Sequence, residues 1–373
     1  MNESNQSRRS SSFIIISIDR HCVASSTESA LVFSLSALCF CCCKSCGHSF
    51  KGRNNIGNLA DFANANIMSK ARSNQSPPFR GFSPHPTLSG RYKMLRIWSS
   101  TSNDIRHIVI VQLFHAKKRN AINAQMWREI GDIFSGLQHL EEDIRAVILT
   151  GNSQAFTAGI DWTDTKLFPS YHRQHDVARQ GLAFLPQIRD MQRCFTAVET
   201  CPIPVMAAMD GVCIGAGVDL ACACDIRMCT ANTVFSIREV KIGLAADIGT
   251  LQRLPKITGN DSLVRELCYT GEFFDATKAL SMGLVGRVVS DGTALLQEAM
   301  TTAIQIVSNS PVAVAGTKQS LVYSRDHAVQ EGLDHIANRN ALALMTKDIP
   351  ISVTAAQSKT TPAFDAMPAH SRL

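Results

Sequence analysis

Residues 201–253 read CPIPVMAAMDGVCIGAGVDLACACDIRMCTANTVFSIREVKIGLAADIGTLQR, and this stretch decides the fold. Residues 204–209 are an apolar run of strand length that stops at Asp210-Gly211. A turn of small residues follows, Ile214-Gly215-Ala216-Gly217-Val218-Asp219, and a helix is expected from near Ala216 through Cys222. Residues 225–229 and 234–236 read as further strands. Apolar strands alternating with helices imply βαβ units and an α/β fold. Three acids punctuate the stretch: Asp219 between Val218 and Leu220, Glu239 before Val240, and Asp247 after Ala245-Ala246. A carboxylate among apolar neighbours loses hydration. Its charged form is then disfavoured, and its pKa climbs toward the range useful for proton transfer.

The same alternation extends outward. Residues 107–114 (HIVIVQLF) form a β-branched run of strand type, and Asn123 is placed to cap a helix reaching Leu140. Trp127, Ile130, Ile133, Phe134 and Leu137 then share one helical face. Residues 145–150 (RAVILT) predict a short strand feeding a loop that contains Phe156-Thr157-Ala158-Gly159-Ile160-Asp161. A long helix is expected over 176–199. From Ser262 onward helix dominates, with one strand at 284–289 and helices over 293–309, 312–323 and 329–346.

Composition narrows the function classes. The chain has 373 residues, 45% hydrophobic and 18% charged, with a formal net charge of +6. Residues 1–90 carry nine Lys/Arg against four Asp/Glu, and the rest of the chain 28 against 27. A nearly neutral body argues against nucleic acid as the partner. No run reaches the roughly 18 apolar residues of a membrane span. Thirteen cysteines, six before residue 50 and seven scattered through apolar segments, suit reduced thiols better than a disulfide framework. Residues 1–90 hold eighteen serines and few acids, and read as a low-complexity extension, disordered or targeting, whose Pro77, Pro78, Pro84 and Pro86 make a linker. Cys39, Cys43, Cys46 and His48 fall at no clean zinc spacing, so no metal site is expected. The expected organisation is an extension over 1–90, a core domain over 91–290, a helical region over 291–350 and a tail over 351–373.

The loops 156–161 and 214–219 share a form in which a strand ends, a small-residue turn follows and a helix can begin. Facing one another, they would present two main-chain N–H groups to an oxyanion such as a thioester enolate; each alone also reads as an ordinary tight turn. Gly211, Gly215 and Gly217 give G-x-x-x-G-x-G, which is not the dinucleotide spacing. Asp219 also fits a helix cap, Glu239 a surface residue within Arg238-Glu239-Val240-Lys241, and Asp247 a turn residue before Gly249. Asp225-Ile226-Arg227 reads as a structural ion pair, and Lys117, Lys118 and Arg119 as a solvated face or a phosphate contact.

Together with Pro202-Ile203-Pro204-Val205-Met206-Ala207-Ala208, Ala223-Cys224-Asp225-Ile226-Arg227 and Lys118-Arg119-Asn120-Ala121-Ile122-Asn123, these loops resemble the enoyl-CoA hydratase/isomerase (crotonase) family over about residues 105–345. Ala116 stands where the family usually has proline. The resemblance implies a crotonase-like fold of repeated ββα units, a helical C-terminal trimerisation region and an acyl-CoA thioester substrate. Hydratases of the family carry glutamates at the positions of Asp219 and Glu239, and usually Gly at that of Asp247. The run from Lys241 to Pro255, with Ser310-Pro311-Val312-Ala313-Val314 and Tyr323-Ser324-Arg325-Asp326-His327, is similar instead to the subgroup that shifts 3,5-dienoyl-CoA to 2,4-dienoyl-CoA.

By that resemblance Glu239 is the base, Asp247 the acid and Asp219 their tuning partner, while the N–H groups of Ala158 and Ala216 form the oxyanion hole. Ala158, Gly159, Ile160, Asp161, Trp162 and Ala216 are expected to bind substrate, and Lys118 and Arg119 to contact coenzyme A. No cofactor beyond the CoA of the substrate is implied, and the expected assembly is a homotrimer or homohexamer. Ser371-Arg372-Leu373 is similar to a peroxisomal signal read by an import receptor, so the peroxisome is expected, with the mitochondrion as alternative. Two other functions fit less of the sequence: an enoyl-CoA hydratase, and a non-enzymatic RNA-binding or scaffolding protein on the same fold.

Overall fold

The computed structural model describes residues 77–168 and 176–369. The readings of residues 1–76 and of Ser371-Arg372-Leu373 lie outside the described residues. A seven-stranded sheet runs in the order β1 (Ser83–Pro84), β2 (Leu95–Ser99), β3 (Ile108–Leu113), β4 (Ala146–Thr150), β6 (Val205–Met209), β8 (Ile226–Thr230) and β11 (Arg287–Val289). The β1–β2 and β2–β3 pairs are antiparallel, and the pairs from β3 to β11 are parallel. A smaller sheet, β10 (Phe274–Asp275), β9 (Val234–Ser236), β7 (Val212–Ile214) and β5 (Ala155–Thr157), stands beside it. Three long-sheet strands are each followed by a short-sheet strand, in β4–β5, β6–β7 and β8–β9, and then by a helical turn or helix. This is the repeated ββα unit expected from the sequence.

Both faces of the central strands β3, β4 and β6 are buried, which is why these strands read as apolar runs. Successive side chains alternate between faces. Val147 and Leu149, with Val205, Ala207 and Met209, enter the main core with α1 (Ala124–Gly136) and α2 (Val177–Thr200). Ala146, Ile148, Met206 and Ala208 face a second core. Asn123 caps α1 as expected, its side chain accepting the Met126 N–H at 2.8 Å. The remaining helices are α3 (Ala216–Ala223), α4 (Thr250–Ile257), α5 (Asp261–Thr270), α6 (Ala276–Met282), α7 (Gly292–Val307), α8 (Pro311–Ser324), α9 (Val329–Ala343) and α10 (Asp348–Ser358). The sequence reading did not separate α4 to α6, and it did not anticipate α10.

The second core corrects one expected boundary. Residues 77–90 are not a linker: Phe79 and Phe82 are buried with Trp98, Ile108 and α7, and Leu88 joins the main core. His85, also buried, is held 2.7 Å from Glu142. Proline tolerates this edge position because β1 pairs on one side only. The described end of the chain returns to the same region, where Arg145 donates to the Phe364 and Asp365 carbonyls at 3.0 and 3.4 Å. A second correction concerns Asp225. Its ion-pair partner is Lys318 of α8, 2.7 Å away, and not Arg227, whose guanidinium bonds the Leu284 and Cys224 carbonyls.

Truncating Phe82 to alanine removes a ring from the second core and should cost about 3–5 kcal/mol, the usual scale for a buried Phe. Urea unfolding of that variant against wild type measures it, and a change below about 1 kcal/mol would return residues 77–90 to the role of a loose extension.

Candidate active site

The site forms where the two small-residue loops meet. The loop after β5 pairs with residues 119–122: the Ala158 N–H donates to the Arg119 carbonyl at 3.0 Å, Ile122 to Gly159 at 2.8 Å, and Asp161 to Ile122 at 2.9 Å. Gly159, at φ +90°, turns the chain between these bonds, and its own N–H donates to Thr157 Oγ1 at 3.1 Å. The Ile160 N–H is left without a partner among the described residues. In the second loop, Gly215 at φ +53° donates to the Ser236 carbonyl and α3 begins at Ala216. The Ala216 N–H, at a helix start, is likewise unpartnered there.

The loops touch. A Cβ at Gly159 would lie 2.7 Å from the Ile214 carbonyl oxygen and 3.8 Å from the Ala216 nitrogen. The expectation that Ala158 supplies an oxyanion donor is therefore corrected, because its N–H is committed to Arg119. Where the loops meet, the Ile160 and Ala216 N–H groups are the ones available for that role. Which amide stays free depends on how 158–161 pairs with 119–122, and no local sequence signal carries that register.

Three carboxyls line the same cavity of about 590 Å³ as these loops. Asp219 lies in the first turn of α3, only 1% exposed, and accepts the Thr250 N–H at 2.5 Å from the start of α4. Burial pushes its pKa up to about 6, against the opposing pull of the Thr250 hydrogen bonds and of the Arg253 charge. Glu239 opens a 3-10 turn, Glu239–Ile242, and leans on the other loop: a Cβ at Gly215 would lie 3.1 Å from its Oε1. Its Oε2 is buried with no hydrogen-bond partner. Burial first, and then the charges of Asp219 and Asp247, lift its pKa to about 7. Asp247 is more open to solvent, and burial holds it above the ordinary carboxylate value. A carboxyl that lines a cavity, with one oxygen unpaired and a pKa near neutrality, suits proton exchange with a bound molecule.

The rest of the cavity is largely apolar. Trp127 of α1 forms one wall, stacked on Phe195 at 4.7 Å and donating its indole N–H to the Met191 carbonyl at 2.9 Å. Phe184, Ile188 and Met191 of α2 form another. Of the residues expected to bind substrate, Ala158, Gly159, Ile160, Trp162 and Ala216 line the cavity, whereas Asp161 does not. Asp161 instead binds Lys118 at 2.6 Å, which, like Arg119, lies outside the cavity lining. The cations that do line it, Arg238 and Lys241, were not singled out in the sequence.

Comparison with known proteins gives a consistent picture. The family model described as enoyl-CoA hydratase/isomerase matches residues 104–365. The chain is 43% identical over 294 residues to the mitochondrial Delta(3,5)-Delta(2,4)-dienoyl-CoA isomerase of Mus musculus, covering 79% of this chain and 88% of that protein. It is 36% identical over 275 residues to the peroxisomal Delta(3,5)-Delta(2,4)-dienoyl-CoA isomerase of Arabidopsis thaliana, covering 73% of this chain and 97% of that one. Among solved structures, an enoyl-CoA hydratase from Bacillus anthracis superposes with a TM-score of 0.64 at 26% identity, covering 73% of this chain and 99% of that one.

Replacing Glu239 by glutamine tests the electrostatics without substrate. A carboxyl raised from an ordinary 4.5 to about 7 contributes fully to stability below 4.5, and the contribution is lost as pH rises through about 7. Glu239→Gln is therefore expected to be about 1–3 kcal/mol more stable than wild type at pH 8, with the gap closing near pH 4.5. Urea unfolding at the two pH values measures it.

Proposed function

The chain belongs to the enoyl-CoA hydratase/isomerase family, and on that premise we propose that it moves the double bonds of a 3,5-dienoyl-CoA to the 2,4 positions during oxidation of unsaturated fatty acids. The observation that carries this reading is the meeting of three raised carboxyls with two unpartnered amides in one largely apolar cavity. The names of the mouse and Arabidopsis relatives support the same reaction.

The chemistry needs two proton transfers and no water. The thioester carbonyl oxygen accepts hydrogen bonds from the Ile160 and Ala216 N–H groups, which stabilise negative charge on it and so acidify the neighbouring carbon. Glu239 takes a proton from that α-carbon, and the electron pair flows into the conjugated enolate. Asp247 gives a proton to the far carbon of the former diene, and the electrons return to form the 2,4-diene. One proton leaves the substrate and one enters, so the product is an isomer. The two carboxyls finish with exchanged protonation, which solvent at the open Asp247 side restores. Asp219, closed off from solvent, holds the Thr250 end of the turn and raises the proton affinity of Glu239. A carboxyl cluster of this kind titrates as a unit and not residue by residue.

Lys118 and Arg119 are the proposed contacts of the CoA phosphates, with Arg238 and Lys241 adding positive charge at the cavity. No metal or redox cofactor enters the scheme, since every step is a proton transfer. A homotrimer or homohexamer is supported by the apolar residues exposed around α8 and α9, among them Leu321, Val329, Leu344 and Met345. Ser371-Arg372-Leu373 supports the peroxisome, while the mitochondrial relatives keep that compartment as the alternative.

Purified protein given 3,5-octadienoyl-CoA should generate the absorbance of the conjugated 2,4-dienoyl thioester. Accumulation of a 3-hydroxyacyl product from a 2-enoyl-CoA, with no diene shift, would establish a hydratase instead. Asp247→Asn should lower turnover by about 10²–10⁴-fold, the usual scale for a general acid or base. Unchanged isomerisation in that variant removes Asp247 from the mechanism. In cells, deleting residues 371–373 from an N-terminally tagged chain should abolish peroxisomal import, and persistent import would count against the tail.

A further inference from the structure

We propose that Arg253 is a positioning residue for the proton transfer, an inference that rests on the isomerase reading: its guanidinium, clamped by Glu199, fixes the turn that carries Asp247 and presents the Thr250 amide to Asp219. Arg253 sits in the first turn of α4, only 9% exposed, and points back beneath the turn that precedes the helix. Its Nε and Nη2 donate to Glu199 Oε2 at 3.1 and 2.8 Å, Nη2 also reaches Thr196 Oγ1 at 3.1 Å, and Nη1 donates to the Ile248 carbonyl at 3.4 Å. Its own N–H donates to the Gly249 carbonyl at 2.9 Å. The Gly249 backbone, at φ +141°, passes so near that a Cβ there would come within 1.9 Å of Nη1. The guanidinium therefore fills the inner side of the 247–250 turn, and the turn is wrapped on it.

Both acids that flank Glu239 depend on that turn. Asp247 is its first residue, and Thr250, whose N–H meets Asp219, is its last. Gln192 of α2 adds a second hold by donating to the Asp247 carbonyl at 2.7 Å. Glu199 itself is set from the other side, because its Oε1 pairs with Arg325 just after α8. Two guanidiniums thus share one carboxylate, and a net positive charge remains beside the buried Asp219. An ion cluster with this little exposure adds little to stability compared with an apolar filling of the same space. Its distinctive property is direction: Nε and Nη2 are held on side chains of α2, and Nη1 is aimed at a backbone carbonyl of the turn.

The test compares Arg253→Met, which keeps most of the volume, and Glu199→Gln, which keeps the shape and removes the clamp's charge, with wild type. Displacement of a catalytic group by about 1 Å costs on the order of 10² in rate, so kcat should fall by about 10–100-fold while KM stays within about three-fold. A crystal structure of either variant should show the 247–250 turn displaced and the Thr250–Asp219 hydrogen bond lost. If Arg253→Met does not fold, Glu199→Gln carries both measurements, with a kcat loss of about ten-fold expected. A kcat within about two-fold of wild type in the folded variants, or a turn that stays in place, overturns the proposal. If wild type is inert toward the diene while the turn still moves in the variants, the isomerase reading fails and the clamp on the turn stands.

Discussion

The arrangement of the cavity depends on which main-chain amides are left unpaired. Every N–H around Ile160 is consumed, by Arg119, Thr157 and Ile122, and the N–H before Ala216 is consumed by Ser236. The Ile160 and Ala216 amides, unpartnered among the described residues, stand on loops that touch at Gly159 and Ile214, at a contact too tight for a side chain. Backbone donors are good oxyanion partners because they are fixed before substrate arrives and need no reorganisation during the reaction. Here the fixing is done by strand-like pairing on one loop and by a helix start on the other. Neither depends on a flexible side chain.

The carboxyls follow from the same packing. Asp219 is buried because α3 is buried along its whole length, and Glu239 is desolvated because its turn lies against Gly215. Their proximity raises the cost of ionising both. A site able to take and return protons near neutral pH therefore results from restricted water and mutual repulsion, with no cation among the described residues paired directly to Glu239. The Arg253–Glu199–Arg325 cluster lies one layer behind and opposes the tendency of Asp219 to become neutral.

Much of this was legible in the sequence where it depends on local pattern. The strand runs at 107–114, 145–150 and 204–209, the Asn123 cap and the small-residue turns all appear within a residue or two of their expected places, because apolar period and capping chemistry are local properties. The three acids were legible because charged residues among alanines and valines are conspicuous. What could not be read depends on long-range register. The assignment of Ala158 failed because the 158–161 to 119–122 pairing joins segments about 40 residues apart. Asp225 was assigned to its near neighbour Arg227 when its partner, Lys318, is nearly a hundred residues downstream. The prolines of 77–86 concealed an edge strand and two core phenylalanines, since a proline cluster reads locally as a turn or linker although a sheet edge also tolerates it.

The large sheet has a further consequence for how the chain is made. Its central strands carry apolar side chains on both faces, and one of those faces is covered by α7, residues 292–307. During vectorial synthesis the strands from 108 to 230 leave the ribosome well before that helix does. For that interval the nascent chain lacks the α7 residues that cover Ile148, Met206, Ala208 and Met228, although Phe79, Phe82, Trp98 and Ile105 of the same core are already made. Unbuffered apolar strand surface of this kind is what chaperones bind and what drives aggregation. Changes that slow the emergence or docking of residues 292–307 would therefore lower the yield of native protein without altering any residue of the cavity.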